Sequence, residues 1–246
     1  MTTIIHIQTM EELIGSLDVA GRHAVNEYCT RGIATKVVKP GDVVLDLGAN
    51  EGFHTFHLAS LVGNSGRVHA FEPNPSHWRK LLGHDNVRLW PMAVGDTISV
   101  QNFYLPIEDN LHQVGSLVDP RDFLGSVAMR VLTVPQVTLD SIEELRDRKS
   151  VSFVKMDIER REYNCILGMT ELIISSKPKL VFENLTTEIY DALINLDYRI
   201  SGMIYGVDLS ILPNVLAIPK NDSDDLSQIA LDQHEVREIV DLLGNL

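Results

Sequence analysis

The sequence predicts an α/β fold, a largely parallel sheet with helices packed on its faces. Three observations predict it. Short β-branched runs alternate with helical stretches along the chain, as in repeated strand–helix–strand units. Residues 42–47 (DVVLDL) form a near-continuous apolar run closed by an acid, which suits a strand buried on both faces. A glycine-containing turn, Gly48-Ala49-Asn50-Glu51-Gly52, then separates this strand from a helix.

Taken in order, residues 1–40 read as a helical preface, clearest over 20–38, and Pro40-Gly41 ends it. Residues 41–246 read as one globular unit. After the first strand and its turn, 54–61 is a helix. A second strand, 67–71, ends at Glu72, and Ser76 is placed to cap a helix running to Leu82. Residues 86–94 read as a third strand. The stretch 100–138 differs, with β-prone segments at 101–105 and 129–137 around a polar loop. Its residues 110–125 are a candidate lid. A fourth core strand, 151–156, ends at Asp157, and a helix over 161–175 follows. The fifth strand, 179–182, ends at Glu183-Asn184. A helix over 189–196, strands over 198–205 and 214–218, and an amphipathic helix over 233–243 complete the chain.

Composition narrows the function. Of 246 residues 44% are hydrophobic and 22% charged, the balance of a globular protein with a sizeable core. Two cysteines, Cys29 and Cys165, are too few for a disulfide framework, so a reducing, cytoplasmic setting is expected. No basic segment leads into a long apolar run, and no stretch approaches about 20 apolar residues, so neither a signal peptide nor a membrane span is expected. A net charge of −13 repels phosphate backbones and anionic lipid. The basic clusters at 146–149 and Arg160-Arg161 are flanked by acids and read as solvated faces, which leaves nucleic acid an unfavoured partner.

Chemistry concentrates at the strand ends. Gly48 and Gly52 let backbone approach a ligand with no Cβ between, and Asp46 is placed to organise the turn and meet a ligand ammonium. A dinucleotide turn would read G-x-G-x-x-G. Here Asn50 replaces the second Gly and Glu51 adds a negative charge, which suits a zwitterionic amino acid better than a diphosphate. Glu72, at the next strand end, is placed to accept hydrogen bonds from ribose hydroxyls.

Together these segments resemble the FkbM family of methyltransferases: DLGANEGFHT over 46–55, FEPNP over 71–75, AVGD over 93–96, VTLD over 137–140 and VKMDIE over 154–159. The resemblance implies a Rossmann-like Class I methyltransferase fold with a seven-stranded sheet whose last strand is antiparallel. It implies S-adenosylmethionine as cofactor and methyl transfer to a hydroxyl of a small natural product or saccharide. Position by position it puts Asp46, Gly48, Asn50, Gly52, Thr55, Glu72 and Asn74 in the cofactor site, with Ala93 and Val94 near the adenine. One position departs: the family commonly has D-[IV]-E-G-x-E after the fourth strand, and here Arg160 replaces the Gly. If that Gly takes positive φ, the turn is expected to change, and Arg160 becomes a candidate cation at the acceptor mouth.

Methyl transfer to a hydroxyl needs alignment and a base. Asp157, which would also meet the cofactor, Glu159 and, in the polar loop, His112 are the catalytic candidates. Asp157, Glu183 and Asn184 lie at adjacent strand ends in a layout similar to catechol O-methyltransferase-like enzymes, so they are candidate ligands for Mg²⁺. His54 and His57 read as a partly exposed helix face, and Cys165 as a small buried side chain. The competing functions are a nicotinamide-dependent oxidoreductase, a nucleic-acid methyltransferase and a non-catalytic methyltransferase-like binding module. The helical preface is a candidate surface for a second subunit in a homodimer.

Overall fold

The computed structural model describes residues 9–107, 115–119, 128–146, 151–208 and 211–244. His112 and most of the candidate lid lie outside them.

A seven-stranded sheet forms the middle of the protein, and its centre is the apolar run that follows Pro40-Gly41. Strand β1 (Val43–Leu47) pairs in parallel with β2 (Arg67–Phe71) on one side and β7 (Val151–Met156) on the other. β3 (Val87–Trp90) extends the sheet beyond β2, and β8 (Lys179–Glu183) extends it beyond β7. The last strand, β10 (Asn214–Pro219), inserts antiparallel between β8 and the edge strand β9 (Tyr198–Gly202). This is the expected mostly parallel sheet with an antiparallel last strand.

Both faces of the central strands are covered. On one face Val44, Val68 and Phe153 pack with α1 (Met10–Gly15), α2 (Val19–Val37), α3 (Phe53–Val62) and α10 (Gln233–Gly244). On the other, Leu45, Val154 and Met156 pack with α6 (Glu162–Leu167), α7 (Thr170–Ser176) and α8 (Thr187–Asn195). Between them in sequence lie α4 (Pro75–Leu81) and α5 (Glu143–Arg146), and α9 (Leu226–Ile229) precedes the last helix. Asp18 caps α2 by accepting from the Gly21 amide, and Val25, Cys29 and Ile33 bury one side of it completely within this chain.

The strand expected over 198–205 stops at Gly202, and three other boundaries differ from expectation for a local cause. Residues 86–94 are two strands, because Pro91 has no N–H to give a ladder. After the break β4 (Ala93–Val94) joins a second sheet, in the order β4, β6 (Met129–Val137), β5 (Ser99–Pro106). The helix over 161–175 is broken at Gly168, where an added Cβ would lie 1.9 Å from the Gly95 carbonyl oxygen. Its second half starts afresh where the Asp140 carboxylate accepts from the amides of Glu171 and Leu172. Asn74, not Ser76, caps α4, with Pro75 in the first turn.

Candidate active site

Parallel pairing in register brings three strand ends together. Leu47 lies beside Phe71 of β2 and Met156 of β7, so the next residues of each strand emerge side by side. The Gly48 and Ala49 amides both donate to the Phe71 carbonyl at 3.0 Å, and the Asp157 amide donates to that of Leu47 at 3.0 Å. The chain crosses from one half of the sheet to the other here, between β1 and β7, and open α/β sheets bind ligands beside such a switch point. A cavity of about 470 Å³ opens at this edge, within the usual size range of small-molecule sites.

The expected residues divide into those that line the cavity and those behind it. Gly48, Asn50, Glu72, Asn74, Ala93, Val94, Asp157 and Glu159 line it. Asp46 and Thr55 are fully buried behind the turn, where the Thr55 hydroxyl donates to Asp46 Oδ2 at 2.6 Å. They hold the turn rather than form its surface. Gly52 also lies outside the lining. The two glycines are required by the protein itself: Gly48 has φ +80° and its added Cβ would lie 1.9 Å from the Asp157 carbonyl oxygen. Gly52 has φ +95° and would meet the Phe56 ring at 2.5 Å. Sequence reasoning assigned both to ligand approach; close packing within the protein is a second demand, and only Gly48 lines the cavity.

Glu72 is 5% exposed and its carboxylate bridges two loops. Oε2 accepts from the Asn50 amide and Oε1 from the Asn74 amide, each at 2.7 Å. Burial pushes its carboxyl up to about 7 despite these two bonds. Each oxygen keeps a lone pair for a further donor. Beside it Phe71, Met92, Ala93, Val94 and Phe103 form an apolar wall. Asn50 holds φ +48°, and its side-chain Oδ1 is buried with no hydrogen-bond partner.

At the end of β7 stands a residue that sequence reasoning missed. Lys155 is 3% exposed, with Nζ 3.6 Å from Asp46 Oδ1 and 3.6 Å from Asp157 Oδ2, and it donates to the Gly48 carbonyl at 3.2 Å. Burial alone would favour a neutral amine, but the carboxylates of Asp157 and Asp46 hold it charged. A lone Lys ending an apolar strand was the available signal.

The turn after β7 keeps left-handed backbone without glycine: Glu159 has φ +56° and Arg160 φ +71°. The left-handed region costs roughly 1–2 kcal/mol per residue there. Arg160 is exposed and outside the cavity lining; its neighbour Arg161 is the one that lines it. Burial, with the charges of Asp157, Glu183 and Glu162, pushes the Glu159 carboxyl up to about 8. The expected Mg²⁺ set finds no support. Glu183 and Asn184 are outside the cavity lining, and Asn184 Nδ2 donates to Glu183 Oε2 at 3.0 Å. Lys155 already supplies a cation to Asp157. Among the described residues no group of three His, Cys, Asp or Glu side chains is placed to hold a metal ion.

Two further walls were not foreseen. His23, Ala24, Glu27 and Tyr28 of α2 line the cavity, so the helical preface contributes to the site. His54, expected on a partly exposed face, is 5% exposed and lines it too. Within the candidate lid, Gly115 and Leu117 also line it. Ser116 exchanges both backbone hydrogen bonds with Tyr104 and donates its hydroxyl to the Glu159 carbonyl at 3.0 Å.

A strand order of this kind, with its cavity at the carboxyl ends of β1, β2 and β7, defines an open α/β fold built to hold a small molecule at its switch point. The methyltransferase FkbM domain matches residues 46–200, well over half of the chain, and the chain belongs to that family of S-adenosylmethionine-dependent methyltransferases. Among solved structures it is similar to methyltransferase FkbM from Methylobacillus flagellatus, with 17% identity over 84% of this chain and a TM-score of 0.47. That alignment spans 56% of the other chain. An S-adenosylmethionine-dependent methyltransferase from Aquifex aeolicus aligns over 85% of this chain and 97% of its own, with 14% identity and a TM-score of 0.43. An rRNA methylase from Streptococcus thermophilus aligns over 76% and 91%, with 12% identity and a TM-score of 0.42. No curated protein matches the chain. No helix among the described residues is long and apolar enough to cross a membrane.

Proposed function

We propose that this methyltransferase methylates a hydroxyl group on a small natural product or a saccharide. The observation that carries the reading is the mixed lining of the cavity, apolar residues and Glu72 together with a set of further carboxyl and aromatic groups, which we take as two halves. One half fits an adenosine. The apolar wall of Met92, Ala93, Val94 and Phe103 offers a place for a purine, and Glu72 offers two carboxylate oxygens to a ribose diol. Between the halves, the unpartnered Asn50 Oδ1 and the carboxylate of Asp157 suit the ammonium of an amino acid. These groups fit S-adenosylmethionine, which when bound supplies an electrophilic methyl on a sulfonium.

The other half is rich in groups that bind hydroxyls. Glu27, Asp157, Glu159 and Arg161 face it, with Tyr28, Phe53 and Leu117 giving apolar contact. Carboxyl groups beside aromatic rings suit a polyhydroxylated acceptor, and Glu159, with its carboxyl pushed up to about 8, can donate to an acceptor oxygen near neutral pH. The protein's own work is to hold the acceptor oxygen in line and keep water out.

Incubation of the protein with S-adenosylmethionine and a panel of sugars and hydroxylated aromatics tests the reading. Adenosylhomocysteine and an O-methylated product are expected together. Transfer only to RNA, or only to amine acceptors, would overturn the hydroxyl assignment. Cofactor binding without any transfer would favour a non-catalytic binding module.

A further inference from the structure

A hydroxyl acceptor must lose its proton, and the end of β7 is poorly equipped to take it. Asp157 is engaged by Lys155, whose Nζ lies 3.6 Å from Asp157 Oδ2. A different pair of residues faces the same cavity from helices α2 and α3. Glu27 is on α2. His54 is in the first turn of α3, directly after the Gly52 turn. His54 Nε2 lies 2.9 Å from Glu27 Oε2, the two side chains are 6% and 17% exposed, and both residues line the cavity. Burial works against the Glu27 charge, yet the hydrogen bond from His54 and the nearby Lys155 ammonium hold its carboxyl below the usual value.

Resting on the methyltransferase reading above, we propose that Glu27 and His54 form the proton-accepting dyad of the acceptor subsite. The carboxylate accepts the Nε2–H and so selects the tautomer whose Nδ1 lone pair is left for a ligand. The acceptor oxygen forms its bond to the methyl carbon as the S–CH₃ bond breaks, and that electron pair goes to sulfur. The hydroxyl proton passes to Nδ1, and Glu27 stabilises the resulting imidazolium across the 2.9 Å hydrogen bond. The dyad is split between the helical preface and the first helix of the sheet domain. The preface therefore brings a positioning group, Glu27, to the site as well as a wall.

A purely structural pair would pin α2 to α3 without approaching the transferred methyl. The distinguishing measurement uses the full chain bound to S-adenosylmethionine carrying a ¹³C-labelled methyl. In line with an acceptor oxygen about 3 Å from the methyl carbon, a general base sits within NOE range of the methyl protons. An isotope-filtered spectrum should show a cross-peak from the methyl to a histidine ring. The cross-peak should vanish in His54→Gln, while calorimetric affinity for adenosylhomocysteine stays within about threefold of wild type. On an acceptor from the panel, kcat should fall at least about 100-fold in both His54→Gln and Glu27→Gln. A bound cofactor with no contact to His54, or an unchanged kcat in His54→Gln, overturns the dyad and leaves the methyltransferase reading standing. Affinity lost equally for both ligands would place the ring on the aminocarboxypropyl end and also overturn it. If wild type binds neither ligand, the reading itself fails, and the dyad with it.

Discussion

Glu72 shows what a single residue discloses and what it withholds. Its position at a strand end, two residues before Asn74, is legible from sequence alone. That both its oxygens are engaged by the Asn50 and Asn74 amides is not, because the loop carrying Asn50 comes from another strand. Lys155 was hidden for the same reason, since its carboxylate neighbours Asp46 and Asp157 meet it only when β1 and β7 pair. Gly48 was legible as a needed glycine, but the packing that also requires it was not. With φ +80° and an Asp157 carbonyl where its Cβ would go, Gly48→Ala should destabilise the fold by about 2–5 kcal/mol. A urea midpoint that does not move would contradict that packing. The buried carboxyls give a pH signature. Burial raises Glu72, Glu162 and Glu183 to about 7 and Glu159 to about 8, each from 4.5. Between those limits the folded state binds more protons than the unfolded chain, so their contribution is complete at low pH and is lost as pH rises through the folded values. Glu162, 2% exposed, accepts from the Ile158 amide at 3.2 Å. Glu162→Gln removes one such group, so its stability relative to wild type should improve between about pH 5 and about pH 8. An equal difference from wild type at both pH values would contradict the raised carboxyl.

Among the elements, strands were read best. Residues 67–71 and 151–156 are strands over those bounds, because buried parallel strands declare themselves by β-branched runs between turns. Errors fell where one residue decides the boundary, as at Pro91 and Gly168, or where a distant side chain restarts a helix, as Asp140 does. Helix α2 was found, but its buried side was not. Asn26 and Thr30 share that side with Val25, Cys29 and Ile33, and they bond Asn214 of β10: Asn26 Oδ1 accepts from its amide and Thr30 Oγ1 from its side chain. Polar residues inside a buried face blur the apolar period that would reveal it. Since Ile33 has no exposed surface, Ile33→Ala should cost about 2–5 kcal/mol. Thermal unfolding would read that cost as a lower Tm, and an unchanged Tm would remove α2 from the core.

At the scale of the whole molecule, the place of the cavity was legible because parallel strands gather their carboxyl ends on one edge. Motifs far apart in the chain must then converge at β1, β2 and β7. The side we assign to the acceptor was legible only in part: the 110–125 segment and Glu159 stand out in the sequence, but the share taken by α2 is decided by packing alone. The central claim is that this edge grips an adenosine through Glu72. Calorimetric titration of wild type and Glu72→Gln with adenosylhomocysteine tests it most directly. One binding site is expected in wild type, with affinity at least about tenfold weaker in the variant, since a charge-assisted pair of sugar bonds is lost. Equal affinities, or no binding heat in wild type at any temperature tried, would contradict it.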